Sequence, residues 1–413
     1  MSTVQATGLP LEGIKVLDLS RALAGPYATS LLGDLGAQII KVEGRNGGDS
    51  SRSWPPFENE HSLYFDSVNR NKSSVAVDFY SVEGKKLLRR LAGQADVLVE
   101  NFRPGVLPTM GLDPVELRKT NPGLVIASVS GFGTSGPLAQ TAGLDQVAQA
   151  MSGLMSVTGS DSQNMYRYGV PIIDMSSGML LSFAISSALV HRQRTGEGID
   201  VSTSLLETAL GLSAFQGQRY LSIAEVPEPQ GNNHPVLSPY GVFQTADIPI
   251  IIAVGNDKQF TQLAHVLENP ELLDDERYKT GRDRSVHRTV LAADLERLLA
   301  KHPGLHWLDK LREAKIPCGP IYNYAQVFED EQVKAVDMIR TVHRTDGSEL
   351  PLLRGPLSVN GQAVEIRKAP PALGEDTVAV LTDLGLSVEQ ISGLVDAGIV
   401  TALNQPESAA GAR

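Results

Sequence analysis

The carboxyl group of Asp174 stands where a short apolar run gives way to a helix predicted over 175–194. An aspartate in this position is typical of a helix N-cap, whose side chain accepts hydrogen bonds from the free N–H groups of the first turn. The same position suits a carboxylate nucleophile, because the helix N-terminus would stabilise the anion by up to about 1 kcal/mol. The small residues 176–178 would leave room for a ligand, so the local sequence leaves both interpretations open.

Basic side chains recur near the ends of the strands that we predict below. Open α/β sheets bind their ligands at such strand ends, and Lys or Arg side chains there could contact the phosphates of a ligand. The alternative is that they are ordinary solvated surface charges. The residues are Arg21, Lys41, Arg45, Arg52, Arg70, Lys72 and Arg103.

Residues 131–136, GFGTSG, match the G-x-G-x-x-G spacing and follow a predicted strand. A dinucleotide site would need a helix to begin here and an acidic residue about 20 positions later for the ribose. Pro137 permits a helix start, but no apolar helical run follows and the segment 151–160 contains no acid. A turn-forming loop is therefore predicted, which disfavours a nicotinamide-dependent oxidoreductase.

The remaining residue types offer little further chemistry. The single cysteine, Cys318, would need a histidine and an acid to act as a nucleophile, and the prolines and glycine around it favour a tight structural loop. No pair of histidines has the spacing of a metal site, so we expect no catalytic metal.

Strand-like and helix-like segments alternate through the first 205 residues, which predicts an α/β fold with a mostly parallel sheet and a Rossmann-like large domain. A Pro- and Gly-rich stretch over 225–241 then begins a smaller α+β domain. The predicted domains are 1–215 for the first part of the large domain, 225–325 for the small domain, and 326–413 for the completion of the large domain. The predicted strands are 14–19, 38–43, 75–79, 95–101, 124–130 and 249–255, and the predicted helices include 81–93, 113–120 and 257–267.

Composition narrows the classes of function. The chain has 413 residues and a formal net charge of −11, which disfavours nucleic acid and anionic membranes as partners. One cysteine allows no intramolecular disulfide, and no secretory signal is recognisable, so we expect a cytoplasmic protein. The apolar stretch 178–190 is short for a membrane span and predicts a buried helix. The last residues, 404–413, predict a disordered tail.

The order of motifs resembles one known family, the class III CoA-transferases of the CaiB/BaiF type. The resemblance covers about 10–405 and closely follows the succinyl-CoA:glutarate group. It rests on LEGIKVLDLSRALAGPYATSLLGDLGAQIIKVE, GGDSSRSW, SLYFDSVNRNKSSVAVDF, ADVLVENFRPG, LVIASVSGFGTSGP, DMSSG, HRQRTGEGIDVSTS and IPCGPI, all in family order. The resemblance implies an interlocked homodimer, each subunit having a Rossmann-like CoA-binding domain and a small domain.

The resemblance also implies roles for individual residues. Asp174 occupies the nucleophile position, Asp145 that of an acidic partner, and Trp54 that of a tryptophan beside the active site. Arg52 and Arg70 are candidates for holding the distal carboxylate of a dicarboxylic acid, since arginine binds carboxylates in a bidentate manner. The implied coenzyme A contacts are Arg21, Ala22, Leu23, Arg45, Lys72, Val77, Asn101, Phe102 and Arg103.

The implied reaction is transfer of coenzyme A from an acyl-CoA thioester to a free acid through aspartyl anhydride and aspartyl-CoA intermediates, without a permanently bound cofactor. The racemases of the superfamily carry a histidine where this chain has Leu144. Proton exchange at C2 needs two bases, so Leu144 disfavours the racemase alternative. A non-catalytic CoA-binding protein is the alternative of another class, and the presence of Asp174 and Asp145 argues against it.

Overall fold

The structure is a computed structural model that describes residues 8–403. The predicted disordered tail, 404–413, lies outside the described residues. Along the described chain the strands are β1 (Lys15–Asp18), β2 (Gln38–Gly44), β3 (Phe57–Glu58), β4 (His61–Ser62), β5 (Lys72–Val77), β6 (Val97–Glu100), β7 (Val125–Ser130), β8 (Gly159–Asp161), β9 (Asn164–Met165), β10 (Asp200–Ser204), β11 (Tyr240–Phe243), β12 (Ile250–Ala253), β13 (Cys318–Pro320), β14 (Ile339–His343), β15 (Glu349–Leu353), β16 (Ser358–Val359), β17 (Gln362–Ala363) and β18 (Val400–Thr401).

Helices separate most of these strands. In chain order they are α1 (Ala24–Asp34), α2 (Leu63–Ser67), α3 (Val82–Gly93), α4 (Val106–Thr109), α5 (Pro114–Thr120), α6 (Asp145–Met151), α7 (Ile172–Thr195), α8 (Leu205–Leu212), α9 (Ala214–Ile223), α10 (Asp257–Val266), α11 (Gly281–Val286), α12 (Arg288–Leu299), α13 (Gly304–Glu313), α14 (Tyr324–Glu329), α15 (Glu331–Ala335), α16 (Thr377–Asp383) and α17 (Val388–Asp396).

The chain forms two compact units, and the first contains the large sheet. Its strand order is β10-β7-β6-β1-β2-β5-β18. All neighbours in the sheet are parallel except β18, which pairs antiparallel with β5. The carboxyl ends of β1, β2, β5, β6 and β7 therefore meet at one edge, where an open parallel sheet binds its ligands.

Local sequence explains why the helices begin where they do. Ser81 accepts the N–H of Gly84 at the start of α3, and Asp113 accepts the N–H groups of Val115 and Glu116 at the start of α5. Such side chains satisfy backbone donors that have no partner within the helix. Capped helices therefore alternate with buried strands along the first unit.

The long helix α7 is the central helix of the first unit. It packs against α1 and against the strands β7 and β10. Gly178 is needed for this packing, because a Cβ atom there would lie 2.7 Å from the carbonyl oxygen of Ala24. By length and composition alone α7 could span a membrane. Ile173, Leu181 and Ile185 nevertheless lie in the apolar core of the unit.

The second unit combines an antiparallel sheet with helices. Strands β11, β12 and β13 pair antiparallel in that order, and their apolar side chains share a core with α10, α12 and α13. This unit runs from Ser222 to Val336, compared with 225–325 in the sequence prediction.

One segment was assigned to the wrong domain by the sequence. The segment Met155–Arg167, which we predicted within the first domain, belongs to the second unit. It forms the β8–β9 hairpin, and the N–H of Gly231 donates to the carbonyl of Gly159 within the second unit. The hairpin is joined to the unit by backbone contacts between residues distant in the chain, which sequence alternation does not reveal.

Candidate active site

Asp174 lies within the first turn of α7, and Pro171 precedes the helix as its N-cap residue. Asp174 is therefore not the N-cap, which is one of the two interpretations that the local sequence leaves open. Its side chain is half-buried, and its carboxyl group accepts no hydrogen bond from the residues that the structure describes. The helix begins at Ile172 rather than at the predicted residue 175, so that Ile172 and Ile173 are part of its first turn.

Asp145 provides the cap that Asp174 does not. One carboxylate oxygen of Asp145, Oδ1, accepts the backbone N–H of Ile173 at 2.7 Å and that of Asp174 at 3.1 Å. The other oxygen, Oδ2, accepts the side-chain amide of Gln149 at 2.5 Å. Asp145 thus accepts the backbone N–H groups of Ile173 and Asp174, and these donors are not available to stabilise the Asp174 carboxylate.

Burial and charge together raise the pKa of Asp174 to about 7, far above that of an exposed aspartate. Burial is the larger cause, since it removes water from the charged form, and the nearby Asp145 adds like-charge repulsion. The sequence-based expectation that the helix N-terminus keeps Asp174 charged is therefore wrong. At neutral pH the carboxyl group is divided between its two forms, and its carboxylate is unusually basic.

Two aromatic residues extend the surroundings of the acids. The ring of Trp54 meets that of Tyr64 edge to face, with centroids 5.0 Å apart. The pKa of the Tyr64 phenol is raised by burial and, to a smaller extent, by the charges of Asp174 and Asp145. Trp54 was predicted at the site from family resemblance, whereas Tyr64 was missed because nothing in its local sequence marks it.

The glycine-rich segment 131–136 forms turns, and the next helix along the chain begins only at Asp145. A dinucleotide site of the expected kind therefore lacks its helix. Gly131 is required for a different reason: a Cβ atom there would lie 2.5 Å from the backbone of Gly143. This close approach helps to place the chain that leads into Asp145.

The turn between β1 and α1 is held on both sides by hydrogen bonds. Asn101 accepts the N–H of Arg21 at 2.9 Å and donates to its carbonyl at 2.8 Å. Asp49 accepts the N–H of Ala22 at 2.9 Å, and Ala22 has a left-handed backbone with φ of +65°. A non-glycine residue in this conformation is strained, and the surrounding contacts hold it there. The Asn101 amide therefore fixes the turn, and its predicted contact with coenzyme A stays a prediction.

A cavity of about 450 Å³ opens at the carboxyl ends of β1, β2 and β5. Three residues predicted to contact coenzyme A line it, namely Arg21, Arg45 and Val77. The guanidinium of Arg21 also lies over the ring of Phe102, at 5.1 Å from its centroid. Leu23 is buried at the start of α1, and Arg103 is exposed.

Lys72 does not reach this cavity. It is 1% exposed, and its ammonium group donates to Asp18 at 3.1 Å, to the carbonyl of Pro26 at 2.8 Å and to Asn69 at 3.0 Å. Burial lowers its pKa to about 8. The predicted contact of Lys72 with coenzyme A is a misassignment, because all three donors of the ammonium group are used within the chain. Lys41 is similarly buried and pairs with Asp49 at 2.9 Å.

The two arginines predicted to hold a substrate carboxylate are also committed elsewhere. Arg52 binds Glu43 through two hydrogen bonds, of 2.8 and 2.7 Å, and Arg70 binds Asp34 through two, of 3.0 and 2.6 Å. The Arg70 and Asp34 side chains are both buried. The predicted substrate role of these arginines is corrected accordingly, because each guanidinium already binds an internal carboxylate in a bidentate manner through Nε and Nη2.

Two further acids near the site escaped the sequence prediction. Glu100 ends β6, and burial raises its pKa to about 7, although its carboxylate accepts the N–H of Phe102 at 2.7 Å. Glu43 pairs with Arg52 at the end of β2. The only available signal was their place at the ends of predicted strands, which many surface acids share.

A sequence model of CoA-transferase family III matches residues 11–377 of the chain. The succinate–glutarate CoA-transferase of Agrobacterium fabrum is 38% identical over 382 residues, which are 91% of this chain and 96% of that protein. The human succinyl-CoA:glutarate CoA-transferase is 37% identical over 400 residues, 95% of this chain and 90% of that protein. A crystal structure of a CaiB/BaiF family protein from Brucella suis superposes with a TM-score of 0.82 at 38% identity, covering 91% of this chain and all of that one.

Proposed function

Because the chain belongs to CoA-transferase family III, we propose that it moves coenzyme A from succinyl-CoA to a free dicarboxylic acid such as glutarate, with Asp174 as the nucleophile. One observation carries the assignment of the nucleophile. The Asp174 carboxyl is half-buried, accepts no hydrogen bond from the described chain, and has a pKa of about 7. A more basic carboxylate is a stronger nucleophile, and the group is still ionised in large part at neutral pH.

The reaction then proceeds in balanced acyl transfers. The Asp174 carboxylate attacks the thioester carbonyl of succinyl-CoA, the carbon–sulfur bond breaks, and coenzyme A leaves as a thiolate from a mixed anhydride. The thiolate attacks the aspartyl carbonyl, which releases succinate and leaves an aspartyl-CoA thioester. Glutarate attacks that thioester, and the thiolate, released again, attacks the glutaryl carbonyl to give glutaryl-CoA and free Asp174.

Relief of charge repulsion supports the first step. Before attack, two carboxylates, Asp174 and Asp145, lie close enough for one to raise the pKa of the other. Once Asp174 is acylated it is uncharged, so the repulsion is removed as the anhydride forms. Every step also passes through an oxyanion that preset donors would stabilise.

The cavity lined by Arg21, Arg45 and Val77 supports binding of coenzyme A at the carboxyl edge of the sheet. Both guanidinium groups could neutralise phosphates of the ligand. The order of β5, β2, β1, β6, β7 and β10 across the sheet corresponds to 3-2-1-4-5-6, which supports a Rossmann-like description of the first unit.

We further propose that the enzyme acts as an interlocked homodimer in the cytoplasm. Apolar side chains on α7 that face away from the core support association, since Phe183 is 72% exposed and Met179 and Leu180 are also exposed. The low cysteine content supports a reducing compartment.

The test of function is incubation of the purified protein with succinyl-CoA and a panel of mono- and dicarboxylic acids, followed by chromatography of the thioesters. We expect glutaryl-CoA from the wild type, a mass increase on Asp174, and neither from Asp174→Ala. Full activity in Asp174→Ala would refute the nucleophile. Deuterium incorporation at C2 of a 2-methylacyl-CoA without any new thioester would indicate the racemase instead, and binding without either reaction would indicate a non-catalytic protein.

A further inference from the structure

Gln149 on helix α6 is almost fully buried, with 2% of its surface exposed. Its side-chain amide lies between two groups, donating to Oδ2 of Asp145 at 2.5 Å and accepting the backbone N–H of Tyr168 at 2.8 Å. A buried amide with both ends hydrogen-bonded has one orientation, because the carboxylate can only accept and the backbone N–H can only donate.

The orientation of Gln149 determines where Asp145 points. With Oδ2 held by Gln149, Oδ1 faces the first turn of α7 and accepts the N–H groups of Ile173 and Asp174. These three donors suit the carboxylate form of Asp145. A continuous chain of hydrogen bonds thus runs from the Tyr168 backbone through Gln149 and Asp145 to the backbone of Asp174.

We propose that Gln149 is a positioning residue for the transfer reaction: it fixes the Asp145 carboxylate against the first turn of α7, and thereby sets the charge next to the nucleophile. This inference rests on the proposed function, since it assigns a role in that same reaction. Gln149 is buried and its amide bonds to Asp145 and to the Tyr168 backbone, so it acts on Asp174 through Asp145.

Tyr64, on α2, is a further ionisable group whose pKa responds to both acids. The ionisable groups on α1 and α8 have other partners. Tyr27 on α1 is influenced by Arg70 and Asp34, and Glu207 on α8 accepts a hydrogen bond from Ser204. Asp145 is therefore the charged residue that acts on Asp174, and Gln149 is the side chain that orients it.

Two substitutions test whether Gln149 positions Asp145 or only fills space in the core. Gln149→Met keeps the length of the side chain and removes both hydrogen bonds. Gln149→Glu keeps the acceptor for Tyr168 but loses the donor to Asp145 and adds a negative charge. Gln146→Met is a matched control, because Gln146 is an exposed glutamine on the same helix.

The measurement is the pH profile of kcat and of kcat/KM for succinyl-CoA with glutarate. In Gln149→Met we expect kcat to fall roughly 10- to 100-fold, the cost of a misplaced group, with KM for succinyl-CoA changed less than about threefold. Its acid limb should move to lower pH as Asp145 turns away. In Gln149→Glu the limb should move to higher pH by about one unit. Gln146→Met should match the wild type.

The outcomes distinguish this inference from the proposed function. A wild type that forms neither glutaryl-CoA nor a covalent adduct refutes the proposed function itself. An active wild type whose two Gln149 variants keep its kcat and its acid limb refutes the positioning role alone. If Gln149→Met does not fold, Gln149→Leu, which also removes both hydrogen bonds and adds no charge, is measured in its place: a limb shifted downward supports the role, and an unmoved limb overturns it.

Discussion

The carboxylate of Asp145 accepts the backbone N–H of Asp174 at 3.1 Å, so the acid that caps α7 is a different residue from the acid that we propose as nucleophile. The capping interaction consumes the stabilisation that a helix N-terminus offers to an anion. Asp174 is left with the cost of burial and with a like charge beside it, which together make its carboxylate basic.

Substitution of Asp145 by Asn should lower the pKa of Asp174. The amide oxygen can still accept a backbone N–H, while the negative charge is removed. We expect the acid limb of kcat/KM, near pH 7 in the wild type, to move to lower pH by about one unit. Glu100 also has a pKa raised to about 7, so this variant identifies which carboxyl controls the limb. A limb that does not move would assign it to a group other than Asp174.

Asp174→Asn should stabilise the fold at alkaline pH. The folded pKa of Asp174, about 7, lies above its ordinary value of 3.8, so the native state binds more protons than the unfolded chain between these values. The free energy of unfolding therefore falls as pH rises from about 4 to 7. The variant does not carry this cost, and we expect a gain of about 1 to 3 kcal/mol at pH 8, allowing for partial solvent screening.

The gain from Asp174→Asn should largely vanish near pH 4, where the wild-type carboxyl is protonated in the folded state. Urea unfolding of both proteins at pH 4 and pH 8 measures it. An equal difference at the two pH values would contradict the raised pKa of Asp174. The variant should also be inactive. The wild-type Asp174 would then be a residue that lowers the stability of the fold and is required for the reaction.

Arg70→Met should change stability rather than the choice of acid. The substitution leaves the buried carboxylate of Asp34 without its two-fold partner, and breaking such a pair costs about 3 to 5 kcal/mol. Urea unfolding measures the loss, and the acid panel measures specificity. Arg194→Met on the exposed end of α7 is the control and should stay within about 0.5 kcal/mol. Loss of dicarboxylate preference in a stable Arg70→Met protein would restore the substrate role.

Asn101→Leu should weaken binding of the acyl-CoA. It removes both hydrogen bonds that hold Arg21 in the turn beside the cavity. We expect KM for succinyl-CoA to rise about tenfold, equivalent to roughly 1.4 kcal/mol, with kcat nearly unchanged. Asn101→Asp keeps the acceptor for the Arg21 N–H, so its KM for succinyl-CoA should lie between those of the wild type and of Asn101→Leu. A fall in kcat at constant KM would place Asn101 in the chemical step instead.

The sheet was predictable because each buried strand is a short apolar run bounded by turn residues. The strands predicted at 38–43 and 124–130 correspond to Gln38–Gly44 and Val125–Ser130, and the helix predicted at 81–93 to Val82–Gly93. A strand that is buried on both faces of a parallel sheet must be apolar along its length, so the local sequence pattern is enough to locate it.

The site was less predictable because its geometry depends on long-range pairing. Sequence resemblance placed Asp174 and Asp145 together, but which of them caps α7 depends on a contact across 29 residues. The lysine and arginine assignments failed for a related reason. Charge in a sequence does not show whether its counter-ion is a ligand or a distant residue, and Lys72 meets Asp18 across 54 residues.

The buried pairs of Asp18 with Lys72 and of Lys41 with Asp49 also constrain how this protein can diverge. Loss of either member of a pair removes the direct counter-ion of a charge in the core, at a cost of about 3 to 5 kcal/mol out of the roughly 5 to 15 kcal/mol that stabilise a domain. A lineage therefore cannot change these positions one at a time without passing through a poorly folded intermediate. We expect paired replacement or none, so that the ionic core is inherited as a unit while the surface around it drifts.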